Sequence, residues 1–196
     1  MKRKLIGLVG YAGAGKDCAA EGLTAVGWER VSFADPLRQM ALAIDPYIPA
    51  HASASSRLSG YVDVMGWTKA KQHPEVRRLL QAIGTEAVRN IIGYDTWVEL
   101  ARKKICASTK SVVVTDVRFA NEADMISELG GVLVRIKRPG LGPVNAHLSD
   151  ALVNELTVDT EIDNDGTVEE LQARLKRLAE WVACADLGTY IPDSSK

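Results

Sequence analysis

The sequence predicts an α/β fold: a three-layer sandwich with a mostly parallel central sheet between helices. Three observations carry this prediction. Apolar, β-branched runs (Leu5–Val9, Ser111–Thr115, Val132–Ile136) alternate with helical patterns along the chain, which is the order that βαβ units produce. The first run shows no polar alternation, as a strand buried on both faces requires. A glycine-rich loop, Gly10–Gly15, then joins that run directly to a helix, a junction at which backbone N–H groups and the helix dipole favour an anion.

The elements follow in order. After the Leu5–Val9 strand, Lys16–Val26 reads as a helix and Arg30–Phe33 as a second strand. Asp35-Pro36 opens the next helix, with Asp35 as N-cap and proline at the first helical position. His51–Gly60 (HASASSRLSG) is small and polar and reads as a mobile surface loop. Pro74–Ile83 is helical, because Val76, Leu79, Leu80 and Ile83 recur at i, i+3, i+4 and i+7. Gly84-Thr85 reads as a break, Glu86–Ile92 as its resumption, and Thr96–Ala107 as a further helix. Beyond the Ser111–Thr115 strand come a helix over Glu122–Leu129 and the Val132–Ile136 strand. Arg138–Asp150 holds two prolines and two glycines and no period. Asp159–Ile162 reads as the last strand, and Val168, Leu171, Leu175, Leu178 and Val182 line one face of a long final helix.

Composition narrows the function classes. The chain has 196 residues, 46% hydrophobic and 25% charged, with a net charge of −1. That balance fits one globular domain and speaks against a binder of nucleic-acid polymers or membrane surfaces. Cys18, Cys106 and Cys184 form neither a disulfide framework nor a zinc pattern, so a reducing, cytoplasmic setting is expected. MKRKLIGLVG has too short an apolar run for a signal peptide and leads straight into the glycine loop. No apolar stretch approaches the ~18 residues of a membrane span.

The loop itself, Gly10-Tyr-Ala-Gly-Ala-Gly15-Lys16-Asp17, matches G-x-x-x-x-G-K and ends in Asp where Ser or Thr is usual. Glycines let successive N–H groups turn inward on a phosphate, and the lysine then bridges two phosphates. Gly10, Ala12, Gly13, Ala14, Gly15, Lys16, Asp17 and Cys18 are therefore the candidate nucleotide-binding residues. In place of the hydroxyl, Asp17 offers Mg²⁺ a carboxylate, directly or through water; Cys18 also reads as a small packing residue.

Ligands in such sheets sit at the carboxyl ends of strands. Asp35 with Arg38, and Asp116 with Arg118, Asn121 and Glu122, occupy those places. Asp35 and Asp116 each read two ways, as a plain cap or as a functional carboxylate, and Asp116 joins Asp17 as a candidate metal ligand. Trp67 and Trp97 read equally as base-stacking rings or as packing residues. His51, His73 and His147 show no ligand spacing.

GYAGAGKD, SFADPLR, LLQAIGTEAVR and TDVRFANEAD together resemble the deoxynucleoside monophosphate kinases of tailed phages, over nearly the whole chain from about Leu5. The GKD ending is familiar in that family. The resemblance implies a P-loop kinase fold in a single domain, 1–196, with a helical substrate-binding insertion over about 36–107 and a lid over about 138–150. It implies transfer of the ATP γ-phosphoryl group to a dNMP with Mg²⁺. Lys16, Asp35 and Arg138 become the catalytic candidates, and Asn164 and Gly166 lie near adenine. Asp35, Arg38, Trp67, Gln81, Thr85, Glu86, Arg89, Trp97, Asp116, Arg118 and Glu122 form the substrate side. The resemblance leaves a homodimer open. Two rivals stand beside this reading: a kinase similar to dephospho-coenzyme A kinase, in which Asp35 would face a hydroxyl acceptor, and a nucleotide-dependent switch or scaffold with no acceptor. The chain has no N-K-x-D element to read guanine.

Overall fold

A computed structural model describes residues 3–49, 55–142 and 153–184. The chain folds as two compact units, Met1–Ser32 with Ala101–Lys196, and Phe33–Leu100.

The first unit is built on five parallel strands: β1 (Leu5–Val9), β2 (Glu29–Val31), β5 (Val112–Val117), β6 (Val132–Lys137) and β7 (Thr160–Asp163). Their spatial order is β2-β5-β1-β6-β7, and every pairing is parallel. β1 lies at the centre with all five residues buried, which is why its sequence is uniformly apolar. Ile6 and Leu8 pack into a core with Leu23 of α1 (Lys16–Thr24) and Leu171 and Leu175 of the final helix, α7 (Val168–Cys184). Gly7 faces the other way: a Cβ there would lie 3.0 Å from Leu133 and 3.2 Å from Ile126 of α6 (Ala120–Glu128). Helices thus cover both faces, giving the three layers that the sequence predicts.

The connections leaving the adjacent strands β1 and β5 run in opposite directions across the sheet, through α1 to β2 and through α6 to β6. Such a reversal opens a crevice at the carboxyl ends of the strands. The glycine-rich loop leaves β1 at that edge, and Asp116 and Arg118 sit at the end of β5.

The second unit contains α2 (Ala34–Ile44), a hairpin of β3 (Tyr47–Pro49) and β4 (Ser55–Arg57), α3 (Leu58–Ala70), α4 (Pro74–Gln81), a π-helical segment over Ala82–Ile92, and the start of α5 (Thr96–Ala107). Ala41, Ile48, Leu58, Val76, Ile83, Val88 and Trp97 form its core. Three expectations are corrected here. Phe33, with helical φ/ψ, precedes α2, so Asp35 lies inside the first turn and is not the N-cap. Of the expected polar loop, residues 51–54 lie outside the described residues, whereas Ser55–Arg57 pair with β3 and Leu58–Gly60 begin α3. The anchor is Asp45, whose carboxylate accepts from Ser59 N (2.8 Å) and Ser59 Oγ (3.0 Å). Finally, Gly84-Thr85 does not break the helix, which passes from α4 into the π-helical segment.

Of the expected lid over about 138–150, residues 143–150 lie outside the described residues. Among the described residues no helix is long and apolar enough to cross a membrane.

Candidate functional site

Gly10 and Gly15 shape the loop at the end of β1. Both have positive φ, +149° and +99°, and both lie where a side chain would collide. A Cβ at Gly10 would sit 2.6 Å from the Ile136 carbonyl oxygen, and one at Gly15 would sit 2.5 Å from Asn164 Nδ2. Lys16, the first residue of α1, is only 8% exposed. Its Nζ donates to Gly10 O (2.6 Å) and Tyr11 O (2.7 Å), which seats the ammonium within the curl of the loop. Loop amides, the amino end of α1 and a buried cation therefore converge, as binding a polyphosphate requires. Arg138, exposed, adds a second cation by donating from Nη1 to Gly13 O (3.3 Å).

Asp17 points outward, with its side chain 69% exposed and paired to Arg30 Nη2 at 3.4 Å. An exposed pair of this kind contributes ~1 kcal/mol at most, so the carboxylate stays available to other partners.

At the end of β5 the ladder is irregular. Gly7 pairs with Val114 but Val9 pairs with Val117, so Leu8 opposes both Thr115 and Asp116. A bulge of this kind re-aims side chains and is frequent beside active sites. Asp116 Oδ2 accepts from Ser32 Oγ (2.6 Å), just beyond the end of β2. Thr115 Oγ1 is buried without a hydrogen-bond partner. Asp116, Ser32 and Thr115 are hard oxygen donors, the type that Mg²⁺ takes.

Glu122 is 2% exposed. Its Oε2 accepts from the backbone N–H groups of Arg118 (2.8 Å) and Phe119 (3.2 Å), half of a capping box that fixes the turn carrying Arg118. Asn164 follows β7, and its Nδ2 donates to Ala14 O (2.9 Å). Gly166 is exposed and leads into a reciprocal cap at the start of α7, where Thr167 N donates to Glu170 Oε2 and Glu170 N to Thr167 Oγ1.

The second unit holds its own set. Arg38 Nη1 lies 3.4 Å from Asp35 Oδ1, and the guanidinium carbon lies 5.8 Å from the Trp67 ring centroid, within cation–π range. Gln81 ends α4, exposed; the π-helical segment carries half-buried Thr85, exposed Glu86 and buried Arg89. The Arg89 guanidinium lies 5.3 Å from the Tyr94 ring centroid, and its Nη1 donates to Tyr94 O (3.4 Å). Stretches of π-helix are rare and frequent at functional sites. Trp97 is corrected: it is 3% exposed and its indole N–H donates to Gly84 O (2.9 Å), so it packs the core and offers no free face to a base.

Within the first unit the structure brings together the loop, Lys16, Asp17 and Arg138, with Asn164 beneath the loop. It also adds Arg30 and Ser32, which sequence reasoning missed. Ser32 was findable as a polar residue directly after a strand; Arg30 carries no such signal.

The family model for deoxynucleotide monophosphate kinases matches residues 49–175. A putative deoxynucleotide monophosphate kinase of Acanthamoeba polyphaga mimivirus is 30% identical over 206 residues, covering 93% of this chain and 96% of that protein. The deoxynucleotide monophosphate kinase of Escherichia phage RB69 is 30% identical over 107 residues, covering 53% of this chain and 44% of its own length. Among solved structures, a shikimate kinase from Acinetobacter baumannii superposes with a TM-score of 0.51 at 12% identity, over 95% of this chain and 96% of that one. This last likeness shows the P-loop kinase fold alone.

Proposed function

The chain belongs to the deoxynucleotide monophosphate kinase family, and from that premise we propose that it transfers the γ-phosphoryl group of ATP to a deoxynucleoside monophosphate, giving ADP and a deoxynucleoside diphosphate. The observation that carries the donor half is the buried Lys16 ammonium inside the glycine loop at the end of the central strand. The acceptor half rests on the family match, whose span of 49–175 includes Gln81 to Arg89 and Asp116 to Glu122.

The acceptor oxygen belongs to a phosphate that is already ionised at neutral pH, so the reaction needs positioning and charge neutralisation more than a general base. Lys16 and the loop amides hold the donor phosphates. Arg138, against the loop at Gly13 O, stabilises charge on the transferring group. Arg118, on the turn fixed by Glu122, is assigned the phosphate of the acceptor, because the planar guanidinium fork suits a phosphate; Arg89 is the other candidate for that role. Asp35 and Arg38 orient the remainder of the substrate. Mg²⁺, when bound, neutralises the donor phosphates; Asp116 and Asp17 would hold it, directly or through water, with the Ser32 hydroxyl beside Asp116.

Incubation with γ-labelled ATP and each dNMP tests the reading directly: label is expected in a dNDP, and its absence with every dNMP overturns the proposal. Two variant series probe the roles. Arg89→Lys and Arg118→Lys should each raise the dNMP KM or lower kcat, a loss of roughly 10- to 150-fold in kcat/KM from one charge-assisted contact, while the KM for ATP moves little. Asp17→Ala should raise the Mg²⁺ concentration for half-maximal rate, and Asp17→Ser should recover part of it by supplying a hydroxyl. A Mg²⁺ titration unchanged in both would leave Asp17 as a helix-dipole residue.

A further inference from the structure

We infer that Asn164 is a positioning residue for the phosphate loop, acting on the donor phosphates through Ala14 and not through the base. The inference rests on the donor half of the function above and assigns Asn164 a role distinct from the adenine contact expected of it. Asn164 comes directly after β7 and is 150 residues from the loop in sequence, yet it touches the loop twice. Its Nδ2 donates to Ala14 O (2.9 Å), and the same Nδ2 fills the space a Cβ on Gly15 would take, 2.5 Å away.

The turn that presents Asn164 is held on both sides. Asn164 N donates to Lys137 O (2.6 Å), tying the turn to the end of β6. On the other side Arg174 of α7 donates to Asp163 O and to the Asp165 carboxylate (2.8 Å), and this bond is the main reason the Asp165 carboxyl is held below its usual range. The side-chain amide is thus a prop delivered from the sheet edge. Because Ala14 O accepts from Asn164, the peptide between Ala14 and Gly15 has a fixed orientation. That peptide supplies the Gly15 N–H, one of the amides directed at a phosphate in a loop of this type.

Asn164→Ala removes the prop, and the near-isosteric Asn164→Asp sets an acceptor against the Ala14 carbonyl. Both full-length variants would be compared with the parent protein by amide hydrogen exchange without nucleotide, by ADP binding and by steady-state kinetics. Exchange in the Gly10–Lys16 peptide should rise about tenfold while the β5 peptide over 111–117 stays protected. ADP should bind about 5- to 20-fold more weakly, and the KM for ATP should rise with the dNMP KM unchanged. Unchanged loop exchange in both variants overturns the inference. An equal rise across the loop and β5 peptides also overturns it, since that marks general destabilisation. Exchange and ADP binding need no acceptor, so a failure of the dNMP kinase reading would show in the kinetics and leave these two measurements to decide the role of Asn164.

Discussion

Lys16→Ala is expected to lower kcat/KM by about 10²–10³-fold, the usual consequence of removing one preorganised group that stabilises transition-state charge. The protein should remain folded. Lys16 lies at 8% exposure with its ammonium on Gly10 O and Tyr11 O. Removing it leaves two loop carbonyls short of a donor, a loss of about 1–3 kcal/mol, or a drop of roughly 2–12 °C in Tm. Circular dichroism on the sample used for kinetics separates the two effects. A folded variant with near-normal turnover would contradict the assignment of this loop to the donor phosphates.

Gly10→Ala is expected to be damaging as well, for a steric reason. The new Cβ would meet the Ile136 carbonyl oxygen at 2.6 Å, and a backbone atom inside a parallel ladder cannot swing aside as a side-chain tip can. Relief must come from moving the loop, and a displacement of ~1 Å at a reacting centre costs on the order of 10²-fold in rate. Overpacking should also destabilise the protein by about 1–3 kcal/mol. Gly13→Ala is the control: its φ is also positive, at +82°, but its Cβ would find nothing nearer than Leu141 at 3.9 Å. Kinetics and thermal melts of the pair should show the Gly10 variant losing far more activity. Equal losses would mean that backbone strain, and not the contact with β6, sets the requirement.

The parts of the fold that were legible in the sequence are those whose stability is local or whose burial is symmetrical. β1 is apolar throughout because both its faces are covered, and the helix expected over Thr96–Ala107 has the bounds of α5. α3 was not legible. It contains Gly60 and Gly66, Gly66 has non-helical φ/ψ, and its start is tied down by the Asp45 carboxylate, which reaches Ser59 across fourteen residues. No local pattern encodes that contact. Gly84 misled for a related reason. Glycine is a poor helix former, yet here its carbonyl accepts the Trp97 indole N–H and its bare Cα faces Leu37, where a Cβ would lie 3.3 Å from Cδ2.

At the site, the motif marked the loop and the strand-end rule marked Asp116. The partners of these residues come from distant parts of the chain: Ser32 for Asp116, Arg30 for Asp17, Asn164 for Ala14. Such pairs follow from the sheet order, which a single sequence does not state. Glu122 shows the same limit at short range. It reads in the sequence as a substrate-side residue, and the structure shows its carboxylate holding two backbone amides.

Whether this phosphate loop serves a dNMP acceptor is decided by ADP release in a coupled assay. The panel is no acceptor, each dNMP, each ribonucleoside monophosphate and dephospho-coenzyme A, with Mg²⁺ and saturating ATP. ADP release is expected to depend on at least one dNMP and to exceed both the acceptor-free rate and the rate with dephospho-coenzyme A by orders of magnitude. ADP release at one slow rate regardless of acceptor would contradict that expectation in favour of a nucleotide-dependent switch, and release driven by dephospho-coenzyme A alone would contradict it in favour of a hydroxyl-directed kinase.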